Sequence, residues 1–77
     1  MKLSQLKKGE SAKISKINFD SDSETCHNLI SLGFSYGNTI VFERSAPLGD
    51  PQQYYVAGNY IAIRKSDAQM IEVELIW

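Results

Sequence analysis

Apolar and polar residues alternate most regularly near the end of the chain. Ile71, Val73 and Leu75 fall on one face and Glu72 and Glu74 on the other. A period of two predicts a strand with both glutamates facing solvent. The same period recurs earlier. Ile40 and Phe42 share a face within residues 39–45, and Tyr54 and Val56 within residues 53–57. In residues 60–65, Ile61 and Ile63 alternate with Ala62 and Arg64. The first candidate strand, residues 11–19, breaks the rule: Ala12 and Ile14 have one parity, Ile17 and Phe19 the other. A β-bulge near Ser15 and Lys16 would bring all four inward.

Between these strands the period changes. Cys26, Leu29, Ile30 and Gly33 stand at i, i+3, i+4 and i+7, which predicts a helix over residues 22–32 with Cys26 and Leu29 inward. Ser21 and Glu24 have capping-box spacing, and Gly33 suits the C-terminal cap. Leu3 and Leu6 predict one helical turn over an end of the fold, closed by Gly9. Residues 35–38 read as a turn, Gly58-Asn59 as a two-residue hairpin turn, and Ser66 as the cap of a turn through residues 67–70. Five short strands with one or two short helices predict a mainly β, partly open small barrel. Periodicity alone leaves open an SH3-like barrel or an oligonucleotide/oligosaccharide-binding barrel.

One stretch departs from all these patterns. Arg44-Ser45-Ala46-Pro47-Leu48-Gly49-Asp50-Pro51 separates two β-prone segments and carries two prolines, a glycine and an aspartate within five residues. Neither Pro47 nor Pro51 fits a central strand, and each restricts the residue before it. Gly49 is free to take positive φ. A stiff, bent loop with Leu48 near its tip follows. Chain reversal alone needs far less, since Asn-Gly would serve.

Composition narrows the function. Seventy-seven residues make one small domain, 1–77, with 43% hydrophobic and 22% charged residues, ordinary for a globular protein. The net charge of −1 and the scattered lysines and arginines argue against a nucleic-acid partner. A single cysteine excludes an internal disulfide and favours a reducing, cytoplasmic setting. No run of apolar residues is long enough to serve as a signal peptide or a membrane span. Cys26 and His27, with Asp20, Asp22 and Glu24 upstream, are candidate metal ligands. Adjacent helical residues point about 100° apart, however, and metal sites favour other spacings, so no metal or other cofactor is expected. No catalytic residue stands at a recognisable sequence spacing from the lone histidine, and neither a Gly-x-Ser-x-Gly nor a phosphate loop is present, so no enzyme is expected. Arg44 and Arg64 are candidates for recognising a carboxylate or phosphate on a partner. The plainer alternative pairs them with Glu43, Glu72 or Glu74. Tyr36, Tyr54, Tyr55, Tyr60 and Trp77 are more aromatics than so small a core holds, and one of Tyr54 and Tyr55 should face out.

The proline loop also resembles the signature loop of the ferrous iron transport protein A (FeoA) family. Leu29-Ile30-Ser31-Leu32-Gly33 is similar to that family's helix end, Gly37 to its turn glycine, and Ala62-Ile63-Arg64-Lys65 with Ala68 and Ile71 to its closing strand and last turn. Asn28 departs from the pattern, where the family often carries arginine. The resemblance implies an SH3-like barrel and a cytoplasmic accessory of ferrous iron uptake. It implies protein–protein contact with the cytosolic, GTP-binding part of the membrane transporter FeoB rather than iron chelation. On this reading Pro47, Leu48, Gly49, Asp50, Pro51, Arg44 and Arg64 form the partner-binding site. Leu48 would be the anchor, the alternative being that it folds inward as a plug. Two rivals remain: a peptide-binding SH3-like module, and a relative of the small domain that ends iron-dependent repressors. Weak homo-oligomerisation is left open.

Overall fold

The computed structural model of the chain describes residues 1–19 and 23–76. Five strands form one antiparallel sheet: β1 (Ser11–Ile17), β2 (Thr39–Ser45), β3 (Gln52–Val56), β4 (Asn59–Ile63) and β5 (Ile71–Leu75), in the spatial order β4-β3-β2-β1-β5. Two helices, α1 (Glu24–Ser31) and α2 (Lys65–Ala68), and a 3-10 turn at Leu3–Gln5 complete it. This is the expected mainly β fold with five strands and short helices.

The expected bulge in β1 is present. Against β5 the register runs Ile14 to Val73, then Lys16 to Glu72. The extra residue reverses parity, so Ile17 packs on the same core as Ala12 and Ile14. Beyond the strand, Phe19 joins that core. Ala12, Ile14, Ile40, Tyr54, Val56, Ile71 and Val73 are fully buried from the sheet side. Leu3 and Leu6 close the core from the 3-10 turn and Leu29 from α1. Cys26 is buried in α1, as the helical spacing predicted.

Several expectations need correction. Helix α1 is capped by Ser23, whose Oγ accepts the Cys26 N–H at 3.3 Å. The expected cap residue, Ser21, lies outside the described residues, as do Asp20, Asp22 and Trp77. The hairpin between β3 and β4 turns at Ala57-Gly58, one residue before the expected Gly58-Asn59. Val56 pairs with Asn59, and φ is +52° at Ala57 and +82° at Gly58. Both central residues of this turn need positive φ. Asn59 begins β4 instead and steadies the turn by donating Nδ2–H to the Ala57 carbonyl at 3.2 Å. Residue 65 was expected in the fourth strand but opens α2. Leu75 was expected inside and is 50% exposed, although it stands opposite the buried Ala12 at the end of β5. Glu72 is not simply solvated: its carboxylate accepts Asn18 Nδ2–H at 2.8 Å, which lowers its pKa.

The junction of α1 with the β3–β4 hairpin explains Gly33. The helix ends on that glycine at φ +106°. A Cβ built there would lie 2.5 Å from the Ala57 Cβ. Both the backbone conformation and the close approach therefore exclude a side chain at this position.

Candidate docking loop

Strand β2 carries a second bulge, and it sets the direction of Arg44. Opposite β3 the register runs Phe42 to Tyr54, then Arg44 to Gln53, leaving Glu43 extra. Simple alternation from Ile40 and Phe42 would send Arg44 into the core. The bulge turns it onto the outer face beside Gln53. There Arg44, Ser45, Ala46, Pro47, Pro51, Gln53 and Ala62 line an open cleft of about 470 Å³.

The loop itself is braced three ways. The Ala46 N–H donates to the Pro51 carbonyl at 2.9 Å and closes its base. The Gly49 N–H donates to the Ala46 carbonyl at 2.7 Å, so residues 46–49 form a tight turn. Pro47 takes the second position of that turn, which its fixed φ suits, and Leu48 the third. Gly49 then adopts φ +90°, and the Asp50–Pro51 peptide is cis. The third brace is Asp50, whose Oδ1 accepts the Lys65 N–H at 2.9 Å across 15 residues. Ser66 was expected to cap the turn that follows the fourth strand. Instead Arg64 occupies the cap position of α2 without a side-chain cap bond, and Asp50 receives the next amide. An aspartate oxygen on a free helical N–H is the usual capping interaction, supplied here by a distant part of the chain.

This bracing leaves Leu48 97% exposed. It does not fold inward as a plug, and the prolines beside it are exposed as well. Arg64 Nε lies 3.3 Å from Asp67 Oδ2. The expected partners were Glu43, Glu72 or Glu74, but Asp67 stands three residues on, within the first turn of α2. The Arg64 side chain is largely exposed, so the pair contributes little to stability. Arg64 adjoins Lys65, the residue that Asp50 grips, and Arg44 lines the cleft at the loop's other flank. The seven residues singled out in the sequence thus lie in or beside one loop.

Elsewhere the side chains that looked capable of chemistry diverge. Cys26 is buried while the neighbouring His27 is exposed, as their helical offset requires. Among the described residues no three His, Cys, Asp or Glu side chains gather where they could hold a metal ion. Among the same residues no helix is long and apolar enough to cross a membrane. Tyr54 is fully buried, and its hydroxyl donates to Gln52 Oε1 at 2.7 Å. Burial raises its phenol pKa well above the usual 10.0. Tyr55 faces out, as parity required of one of the two, and its ring stands 5.0 Å from that of Tyr60. Sequence reasoning missed this outer aromatic pair. The signal was present in the two-residue turn, which places residues 55 and 60 directly opposite each other.

The model of the FeoA domain matches residues 1–75. A curated relative, the Fe(2+) transport protein A/Fe(2+) transporter FeoB fusion protein of Porphyromonas gingivalis, is 36% identical over 76 residues, covering 99% of this chain and 9% of its own length. The chain therefore spans about a tenth of that relative. The solution structure of iron(II) transport protein A from Clostridium thermocellum is 37% identical, with a TM-score of 0.90 over 99% of this chain and 46% of that one. Zinc-complexed FeoA of Stenotrophomonas maltophilia, described as a prokaryotic SH3 domain protein, is 28% identical, with a TM-score of 0.81 over 96% of this chain and 89% of that one. IdeR of T. acidophilum is 27% identical, with a TM-score of 0.82 over 97% of this chain and 33% of that one. With its SH3-like sheet, its braced proline loop and a family match over nearly its whole length, this chain belongs to the FeoA domain family.

Proposed function

We propose that this protein is a non-enzymatic, cytoplasmic accessory of ferrous iron uptake, and that it acts by docking the loop 46–51 onto the cytosolic part of a FeoB-like transporter. One observation carries the reading. A leucine is held almost wholly in solvent at the tip of a loop braced by three hydrogen bonds. Exposing Leu48 forgoes the stabilisation that burying it would give, roughly 1.5–3 kcal/mol. A braced loop also loses little freedom when it docks, so more of its contact energy appears as affinity. The cleft beside it is lined by two prolines, two alanines and Arg44 among others. A partner offering an apolar pocket next to a carboxylate fits this surface. The fused relative, in which an FeoA-like segment and FeoB share one chain, supports the choice of partner. Fe²⁺ is cargo of the transporter in this account and is not held by this chain.

The test is capture of a detergent-solubilised FeoB-type transporter by the immobilised protein. Wild type should retain it and Leu48→Asp should not, while the two proteins keep the same circular dichroism spectrum. Equal retention overturns the proposal.

A second reading is an SH3-like peptide-binding module, or a regulatory one related to IdeR, to which the chain is similar. It requires retention of peptides in the absence of any transporter, through the same cleft.

A further inference from the structure

The two edges of the sheet are treated differently. At β5 the outer side is occupied. Lys2 bridges to Glu72, the Met1 ammonium donates to the Val73 carbonyl at 3.0 Å, and the Val73 N–H donates back to Met1 at 2.7 Å. Glu72 and Glu74 add charge there. At β4 none of this holds. Among the described residues no strand pairs with its outer side. Asn59-Tyr60-Ile61-Ala62-Ile63 carries no charge and no proline, and its register with β3 runs without a bulge. Proteins normally blunt an exposed edge with such devices.

We infer that the β4 edge is a self-association site at which a second copy of this chain pairs antiparallel, Tyr60 opposite Ala62, joining two five-stranded sheets into one. The register follows from the turn. The hairpin has a two-residue loop, so Val56 and Asn59 exchange hydrogen bonds with each other. The alternation of an antiparallel ladder then directs the N–H and C=O of Tyr60 and Ala62 away from β3, toward the open edge. A two-fold axis at Ile61 sets Tyr60 against Ala62 of the other copy twice and so makes four backbone hydrogen bonds. Shifting by two residues in either direction leaves only one of those residues facing its own counterpart.

The side chains agree with that register. On the outer face the large, 63% exposed Tyr60 ring lies over the small Ala62 of the other copy. On the inner face Ile61, only partly buried against the core, meets its own counterpart. Arg64 falls opposite Gly58, so no like charges meet. A second copy satisfies every one of these requirements at once, because the surface is complementary to itself. The contact is one short strand wide, so the association is weak and concentration-dependent. The surface meets the docking cleft at Ala62, but Tyr60 lies outside the cleft, so a change at Tyr60 tests self-association apart from docking.

Sedimentation equilibrium over a concentration series tests it. Wild type should show a monomer–dimer equilibrium, and Tyr60→Lys should remain monomeric at the same loading. A second measurement locates the axis. Ile61→Cys should give a disulfide-linked dimer on mild oxidation, whereas Leu75→Cys at the occupied edge should not. Wild type that stays monomeric throughout, a dimer unaffected by Tyr60→Lys, or equal cross-linking at positions 61 and 75 overturns the inference. So does an edge that captures foreign extended peptides while wild type remains monomeric.

Discussion

Asp50 and Lys65 are fifteen residues apart, yet the carboxylate of one accepts the backbone N–H of the other at 2.9 Å. This bond ties the proline loop to the first turn of α2. It fixes where Leu48 is presented, and it gives Asp50 a structural role in the loop. Asp50→Ala should cost about 1 kcal/mol, the usual loss of a capping side chain. Asp50→Asn, which keeps an acceptor oxygen, should recover most of it. Urea unfolding of the three proteins checks this, and equal midpoints would show that the bond contributes nothing in solution.

Gly33→Ala should be among the most damaging single changes. The new methyl meets Ala57 Cβ at 2.5 Å, and φ is +106°. The backbone conformation alone costs roughly 1–2 kcal/mol, and the collision adds to it. The double change Gly33→Ala with Ala57→Gly removes the collision and keeps the backbone cost. Thermal melts should therefore place it between wild type and the single variant.

Leu29→Ala removes a buried side chain from the face of α1 that packs on the sheet. A loss of about 2–5 kcal/mol is expected, a large share of what so small a domain holds. A melting temperature within a degree or two of wild type would contradict the packing described.

The buried Tyr54 phenol has a pKa raised by desolvation above its usual 10.0. A folded-state pKa above the unfolded one means the contribution is complete below about pH 10 and is lost as pH rises further, because the unfolded chain releases its proton first. Stability should thus decline above pH 10 in wild type. In Tyr54→Phe that decline should flatten, at the expense of the Gln52 hydrogen bond at neutral pH. At the acid end the sign is opposite. Glu72 has a lowered pKa, chiefly from its Asn18 hydrogen bond. Its contribution is present above the ordinary glutamate range and lost as pH falls below it. In Asn18→Ala that acid decline should therefore flatten, the variant being less stable than wild type at neutral pH and converging with it in acid.

Much of this fold was legible because each strand buries one face, so parity carries the information. Ile40, Phe42, Tyr54 and Val56 are all inside, and the conflict of parity in β1 located its bulge at Ser15. The bulge in β2 left no such trace, because Glu43 and Arg44 are both polar and nothing apolar changes sides. The hairpin turn was displaced by one residue because alanine at positive φ is uncommon. Here Ala57 fills the space that Gly33 leaves open. The loop stood out through its prolines. Its tie to α2 did not, since an aspartate signals a cap to its own neighbours and carries no mark of a partner fifteen residues away.

The central claim is that Leu48 serves a partner and not the fold. The most direct measurement pairs thermal unfolding of Leu48→Ala with a titration of the same variant against the cytosolic part of a FeoB-type transporter. The account predicts a melting temperature within a few degrees of wild type, because the side chain is 97% exposed. It also predicts binding weaker by about tenfold to a hundredfold, the equivalent of roughly 1.5–3 kcal/mol of lost apolar burial. Unchanged affinity would contradict it, as would a loss of binding that only follows a loss of folded protein.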